Sequence, residues 1–570
     1  MKRRPKTGLI LLYHIFLLTS EVLAKTVRLV RSGVAGMILE PKSQRPGAPL
    51  CAWSGQSSIN PFIVSVLIAL TSLTAWSVDF EWRPGLENRV PFSPPVHSVM
   101  DFGAVGDGVA DDSAAFQDAL DSLPETGGVV LVPPGTYLLG STIHLSDGAV
   151  LRGSGASNTH LRFDLGGRND SAIEIVTYDR GPWVDAESGY QKGSTEIAVS
   201  NAASFTVPTF AEIQQTNDPS VMYTNPLWDQ WWAQDAVGEI VRVVGRVDDR
   251  LTLKDPLRFA YDPAMNPIIR SQGFVEDAGI EHLHISRLDD GDGKTILLKN
   301  AAWVWVREVE TEMASQAHVQ AETVYGCEIR GSFMHHAHDY GGGGHAYGVE
   351  FTTHTTSCLV EDNIFTNLRH SMMVHVGANG NVFGYNYSRE AISEGTWLPD
   401  DISLHGHFPF ANLFESNVVQ AIEVSDYWGP VGPGNTMLRN CVQDEGIVIN
   451  DSSHGQFVIG NTLPSGAQNQ IVIDASVHNT VVHGNYVNGA VQWDPGIADH
   501  TISESYYLFS RPSFYGSTLA WPSIGGDLGS ACSNPAMARW ESGDATPGVS
   551  PIFSDGFESG TDDAWVVHGP

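Results

Sequence analysis

The sequence predicts an all-β solenoid of stacked coils, a parallel β-helix, and three observations point to it. The first is a recurring unit, an apolar strand followed by a polar corner and a second strand, which reads CEIRGSF, CLVEDNIF, VFGYNY, LFESNVV, MLRNCV, FVIGNTL and VVHGNYV. Aligning its corner residues Asn363, Asn386, Asn417, Asn440, Asn461 and Asn485 gives spacings of 23, 31, 23, 21 and 24, the length of one coil with or without an added loop. One coil cannot bury its own inward face, whereas stacked coils bury a continuous core and let the Asn side chains bond along the stack. The second is composition: 58 glycines and 31 prolines stand at turns rather than in one tract, beside 42% hydrophobic and 17% charged residues, which fits a turn-rich β chain and excludes wholesale disorder. The third is length, since 570 residues exceed one layered domain but suit a repeat body with appendages.

Taken in order, residues 1–78 read as a leader outside the mature fold. Lys2-Arg3-Arg4 precede an apolar run at 8–20, and a second run at 62–78 follows Lys42 and Arg45. Both are short for a membrane span and end in small residues, so the expectation is a signal peptide, with the second run favoured and cleavage near 75–77. Residues 79–191 form the N-terminal cap and first coils. MDFGAVGDGVADDSAAFQDALDSL is a strand, a glycine turn and an amphipathic capping helix, followed by GGVVLVPPGTYLL and GAVLRGSG. Asp111-Asp112 stand where a helix N-cap wants carboxylates, and the glycines of 103–108 are turn formers.

The ordered set Asp101-Phe102-Gly103-Ala104, Gly106-Asp107-Gly108, Asp111-Asp112, Ala115-Phe116-Gln117, Gly127-Gly128, Pro134-Gly135-Thr136-Tyr137 and Leu151-Arg152-Gly153 resembles the opening of the pectate-lyase-like, rhamnogalacturonase/epimerase-like superfamily. The resemblance implies a right-handed parallel β-helix that handles polysaccharide. It implies no single reaction, because such a cap opens lyases, hydrolases, epimerases and phage tailspikes alike.

Residues 192–267 break the coil period. Their alternation, in GSTEIAVSNAASF and IVRVVGRVDDRLTLKDPLRF, predicts an inserted β subdomain. Its loop WDQWW, at 228–232, offers aromatic faces for stacking sugars or for packing a core. The main coils run over 268–510. From 511 to 570 the periodic signal fades, and PIFSDGFESGTDDAWVV resembles a short acidic end motif of exported bacterial proteins, so this stretch reads as a tail.

The formal charge of −33 disfavours nucleic acid and anionic membranes, and no basic face offsets it. A secreted, periplasmic or extracellular protein with a polysaccharide partner, and without stable membrane insertion, is the expectation; oligomeric state is not legible. An acidic polysaccharide would need a local basic or histidine-rich site, a bridging cation or high salt. Cys51, Cys327, Cys358, Cys441 and Cys532 form no CxxC pair, and loss of Cys51 with the leader leaves four, enough for a bridge without specifying one.

Two loops of matching phase mark the working face. The coil of Asn363 follows a gap of 32 from Gly331, and that of Asn417 a gap of 31, with one coil between them. The first loop places His335, His336, His338, Asp339, Tyr340, His345, Tyr347, Glu350 and His354 close together, and the second Arg389, Glu390, Glu394, Trp397, Asp400, Asp401, His405 and His407. The coil between them adds Arg369, His370 and His375, and the next adds Asp426-Tyr427-Trp428. Solvated surface rarely needs so many histidines.

Three chemistries fit the cluster. In β-elimination or C5-epimerisation of a uronic acid, a neutral His or Tyr removes the C5 proton while Arg or a cation neutralises the carboxylate. His338, Asp339, Tyr340, His345, Arg369, His370, His405 and His407 are the catalytic candidates, and Trp397, Asp400, Asp401, Asp426 and Trp428 the substrate-binding ones. In glycoside hydrolysis, two carboxylates would come from Asp339, Glu350, Asp400, Asp401 and Asp426. The polygalacturonase-type set of Asn-Thr-Asp, Asp-Asp, Gly-His-Gly and Arg-Ile-Lys is echoed only by Asp400-Asp401 and His405-Gly406-His407, which lowers this option. In the third, His336/His338 or His405/His407 with Asp339 bind a divalent metal. The residues specify no cofactor with certainty; Ca2+ at Asp289, Asp290 and Asp292 is an option, with a plain turn the simpler reading because a full ligand loop is lacking. A non-catalytic carbohydrate-binding β-helix is the alternative outside enzymology. A lyase on a uronic-acid-containing polysaccharide is favoured.

Overall fold

The computed structural model describes residues 81–86, 95–396, 399–464, 466 and 468–545. The leader at 1–78, Trp397 and the acidic end motif lie outside the described residues. Among them, no helix is long and apolar enough to cross a membrane.

Parallel strands stack in chain order on three faces. Face A is a twelve-stranded sheet from Val96–Ser98 to Val481–His483. A 22-stranded sheet covers the other two sides. Face B includes Thr159–Phe163, Glu310–Ala314, Phe333–Ala337, Ile364–Thr366 and Tyr387–Arg389. Face C includes Ala317–Tyr325, Tyr347–Thr352, His370–Val374 and Ile402–Leu404. The long strands Val418–Val424 and Cys441–Ile449 turn the corner between B and C with a register shift. This is the parallel β-helix that the repeat predicts.

Register makes the core a stack of aligned rows. On face A one row runs Val130, Leu151, Ile280, Val306, Ile329, Val360, Phe383, Phe414, Met437, Val458 and Val482, each paired with the next. Full burial of such a side chain contributes about 1.5–3 kcal/mol. The corner asparagines form a second aligned row. The amide of Asn363 donates to the Asn386 side-chain oxygen at 3.0 Å, and the same bond repeats from Asn386 to Asn417, Asn417 to Asn440, Asn440 to Asn461 and Asn461 to Asn485. The residue before each of these asparagines is left-handed: Asp362, Tyr385, Ser416, Arg439, Gly460 and Gly484 have φ between 54° and 66°. Four of the six are not glycine, so each of those corners carries a backbone cost of about 1–2 kcal/mol that the ladder bonds must offset.

A second ladder was not read from the sequence. Asn381 donates to Asn412, Asn412 to Asn435 and Asn435 to Gln456, at 3.0, 3.0 and 3.1 Å. Each member sits five residues before a ladder partner already found, a signal that the sequence held.

At the N-terminal end, helix Ser113–Asp121 buries Ala115, Phe116, Ala119 and Leu120 on the open mouth of the coils. Its N-cap Asp112 makes no side-chain capping bond. That carboxylate instead accepts from the amides of Val105 and Gly106, at 2.6 and 3.1 Å, and so ties down the glycine turn rather than the helix.

The insertion is a closed six-stranded barrel, from Val184–Ser188 to Ile268–Gln272, and so extends past both ends of 192–267. It leaves the stack unbroken, because Leu151 pairs directly with Ile280. It docks on coil corners: His354 Nδ1 meets Glu212 at 2.8 Å, Glu212 also pairs with Arg270 at 2.5 Å, and Asn379 donates to the Gly238 carbonyl at 3.0 Å. A Cβ on Gly238 would lie 2.5 Å from His354 Nε2, so only glycine permits this approach.

At the other end, Ala490–Gln492 folds back antiparallel on Asn485–Val487. The stretch assigned to a tail is ordered packing as far as residue 545. Asn534 donates to the carbonyls of Asn386 and Ser416, and helix Pro535–Glu541 sets Ala536 against Ile364, Tyr387 and Val418. Cys532 is bridged to Cys441, while Cys327 and Cys358 are free and buried.

Candidate functional site

Strand alternation puts Val349, Phe351, Met372, Val374, Ile402, Leu404, Ile422 and Val424 of face C inside. The opposite positions stand outside in one row, Glu350, Met373, Ser403 and Glu423. His375 and His405 follow at the strand ends, two residues further on.

Two imidazoles are held by carboxylates. His375 Nε2 pairs with Glu350 at 3.0 Å, and its Nδ1 is buried without a hydrogen-bond partner. Burial works to raise the Glu350 carboxyl, yet the bond and charge of His375, with Lys294 and Gln320, together outweigh this and lower it. His405 Nδ1 pairs with Asp426 at 2.5 Å, and Ser403 donates to the same oxygen at 3.1 Å. Burial again opposes, but the charge and bond of His405 hold Asp426 down at about 2.

The neighbouring groups are forced neutral. Burial, then the charges of Asp426 and Asp401, push Asp400 up to about 8, and burial with Asp400 and Asp426 pushes Glu423 to about 9. His370 donates from Nδ1 to the Asp400 carbonyl at 2.8 Å; burial and the Arg369 charge press it down to about 3. Arg369 donates to the Tyr347 hydroxyl at 2.7 Å, and burial raises that phenol well into its protonated form. The rings of His370 and His375 lie 5.8 and 6.1 Å from His405, and Tyr347 lies 6.5 Å from it.

Tryptophans wall this floor on one side. Trp232, from the barrel, stands edge-on to Trp428 at 5.6 Å and approaches His375 at 5.9 Å. His407 is 1% exposed, donates to the Trp228 carbonyl at 2.9 Å and packs against both Trp232 and Trp428. Burial lowers it to about 4, so His407 is a neutral strut for the wall rather than a base. Trp228 is buried, with its indole donating to the Tyr427 carbonyl, whereas Trp231 is 86% exposed beside it.

The predicted residues therefore fall into two sets. Arg369, His370, Asp400, His405, Asp426 and Trp428 come together around face C. The loops do meet, since the Glu394 amide donates to the Tyr340 carbonyl at 3.1 Å. His338, Asp339 and His345, however, are bonded toward an earlier coil: His338 donates to the Arg287 carbonyl, and His345 sits between Asp339 and Asp292 at 2.9 and 3.1 Å. The Tyr340 hydroxyl is turned to the Ala337 amide. Asp401 is fully buried and accepts from Ser388 and from the amides of Gln420 and Ala421, so it braces the coil instead of facing a ligand.

The metal pairings read from the sequence are not formed. His336 has a left-handed backbone and bonds His335, while His338 turns to Arg287. Asp289 is taken by Arg287 and the Leu165 amide, which leaves the 289–292 segment a turn. Among the described residues, the group able to hold an ion is His370, His405 and Asp426. Glu423 was not read from the sequence, while Tyr347 and His375 were placed in the cluster without a role, Glu350 was offered only as a hydrolase carboxylate, and Trp232 only as a stacking or core aromatic. Strand alternation within YGVEFT and HSMMVHV could have picked out several of them.

Residues 96–214 match the family described as rhamnogalacturonase A/epimerase, pectate lyase-like. The match covers about a fifth of the chain, taking in the cap, the first coils and the start of the barrel. Among curated relatives, mannuronan C5-epimerase AlgE6 of Azotobacter vinelandii is 35% identical over 102 residues, 16% of this chain and 11% of that protein. Plasmin and fibronectin-binding protein A of Streptococcus pneumoniae is 34% identical over 112 residues, 18% of this chain and 14% of that protein. The matched stretches thus span little more than a tenth of these relatives. Among solved structures, the tailspike gp61 of Pseudomonas phage phi297 aligns with a TM-score of 0.49 at 12% identity, over 69% of this chain and 74% of its own. The family match ends before Tyr347, so it assigns no role to the residues of the site.

Proposed function

We propose that the chain is an exported lyase that cleaves a uronic-acid-containing polysaccharide by β-elimination. The observation that carries this reading is the Glu350–His375 pair, an imidazole oriented by a buried carboxylate, with its other ring nitrogen unpartnered beside the tryptophan wall. A base so held needs little reorganisation to accept a proton. His375 Nδ1 takes the C5 proton; the C5–H electron pair forms the C4–C5 double bond, and the C4–O bond breaks. The leaving oxygen takes a proton from Tyr347, which burial keeps protonated and Arg369 holds in place. Arg369 also supplies positive charge behind the site, and the neutral Asp400 and Glu423 spare an anionic sugar the repulsion expected of a chain at −33.

A second reading, glycoside hydrolysis, draws support from the divergence of Asp400 and Asp426, at about 8 and about 2, since paired carboxyls of split acidity serve as acid and base. Against it, Asp426 is already spent on His405 and Ser403. Incubation with a panel of acidic polysaccharides separates the readings. The lyase yields the absorbance of an unsaturated uronate, and His375→Ala lowers that rate by about two to four orders of magnitude. New reducing ends without the absorbance would replace the lyase by a hydrolase. Deuterium uptake at C5 from heavy water, without cleavage, would make the chain an epimerase.

A further inference from the structure

We infer that His370, His405 and Asp426 form a binding site for a divalent transition-metal ion. Ligand atoms of the three lie within 4.8 Å of one another. Two ligands on tetrahedral zinc stand about 3.4 Å apart, so side-chain rotations of about 1 Å close the site.

The hydrogen bonds around the cluster already select the donor atoms. His370 spends Nδ1 on the Asp400 carbonyl and is left to offer Nε2, whereas His405 Nδ1 and Asp426 face one another, so an ion held by both takes the place of the proton between them. Anchoring one ring nitrogen to a carbonyl or carboxylate is how proteins orient a metal-binding imidazole and raise its basicity.

A separate observation points to an ion. Asp426 Oδ1 is buried and has no hydrogen-bond partner. The Asp426 side chain is 4% exposed. A buried carboxylate oxygen without a donor costs about 1–3 kcal/mol or more, a cost that a coordinated cation removes. Two imidazoles and a carboxylate suit Zn2+, Co2+ or Ni2+ better than Ca2+, which prefers an all-oxygen shell. Three protein ligands also leave a coordination position open. On the lyase reading, that position takes the uronate carboxylate while His375, which is not a ligand, takes the proton.

Equilibrium dialysis of the EDTA-stripped protein against Zn2+, with Co2+ absorption as a geometric readout, tests the inference. Wild type binds one equivalent and gives a tetrahedral Co2+ spectrum. His405→Ala and Asp426→Asn weaken Zn2+ binding at least about tenfold, while His375→Ala binds as wild type does. Circular dichroism melts check that each variant is folded. Absence of stoichiometric Zn2+ on the wild type, or undiminished binding by both folded ligand variants, overturns the site. Stoichiometric binding lost in those variants, on a protein that cleaves nothing, retains the site and removes the lyase reading alone.

Discussion

Glu415 shows how much of this molecule's chemistry is set by burial. Its carboxylate lies under the C-terminal segment, where it accepts from the Tyr506 amide at 2.9 Å and from Tyr385, and burial pushes it up to about 7. Between pH 4.5 and 7 the unfolded chain releases this proton while the folded chain keeps it. The stability that Glu415 contributes is therefore complete below about pH 4.5, falls by about 1.4 kcal/mol per pH unit and is gone above pH 7. Glu415→Gln should raise the melting temperature at pH 8, with the advantage vanishing near pH 4.5; scanning calorimetry at the two pH values decides it. The same dependence on depth explains what the site residues concealed. Arg369, His370, His405 and Asp426 were legible as a cluster because loop length and coil phase put them together. The partners that decide their roles were not: Glu350 for His375, Trp228 for His407 and the Gln420 and Ala421 amides for Asp401 come from distant residues, and sequence holds no signal for an Asp that turns into its own coil.

At the scale of the element, the corner ladder was readable because its spacing repeats and its residue is always Asn. The fold class followed from it. The barrel's ends and the packing of 511–545 were not, because neither keeps a period: one closes through antiparallel pairs and the other lies on the coils through single contacts. Within the ladder, Asn417 bonds both neighbours: its amide donates to Asn440 and to the Phe383 carbonyl, and its oxygen accepts from the Asn386 side chain and backbone amide. Asn417→Ala strands the Asn386 amide and the Phe383 carbonyl, at a cost of about 3 kcal/mol. Asn485→Ala, at the end of the row, should cost less. Urea denaturation of the two variants checks the order, which would be reversed or absent if the ladder were ornamental.

Across the whole molecule, the bridge between Cys441 and Cys532 ties the C-terminal segment to face B, where Cys441 pairs with Val418 and Thr462. It closes 91 residues of sequence. In the loop-entropy picture such a closure is worth about 4.6 kcal/mol. Cys532→Ser should lower stability by up to that amount, and limited proteolysis should then cut first near helix Pro535–Glu541 while the coils stay intact. Simultaneous loss of coils and segment would mean that the bridge holds the body itself.

The antiparallel turn at Ala490–Gln492 has a consequence for what this protein does in company. Every coil of a parallel β-helix is a template for the next, and the final coil offers a row of unmet amides and carbonyls to any strand that arrives. Here, on face B, the strand Asn485–Val487 is met by its own continuation, running the opposite way. Helix Ser113–Asp121 stoppers the mouth at the other end with Phe116 and Leu120. Strand-by-strand addition of another chain is thereby blocked at the mouth and on face B of the last coil.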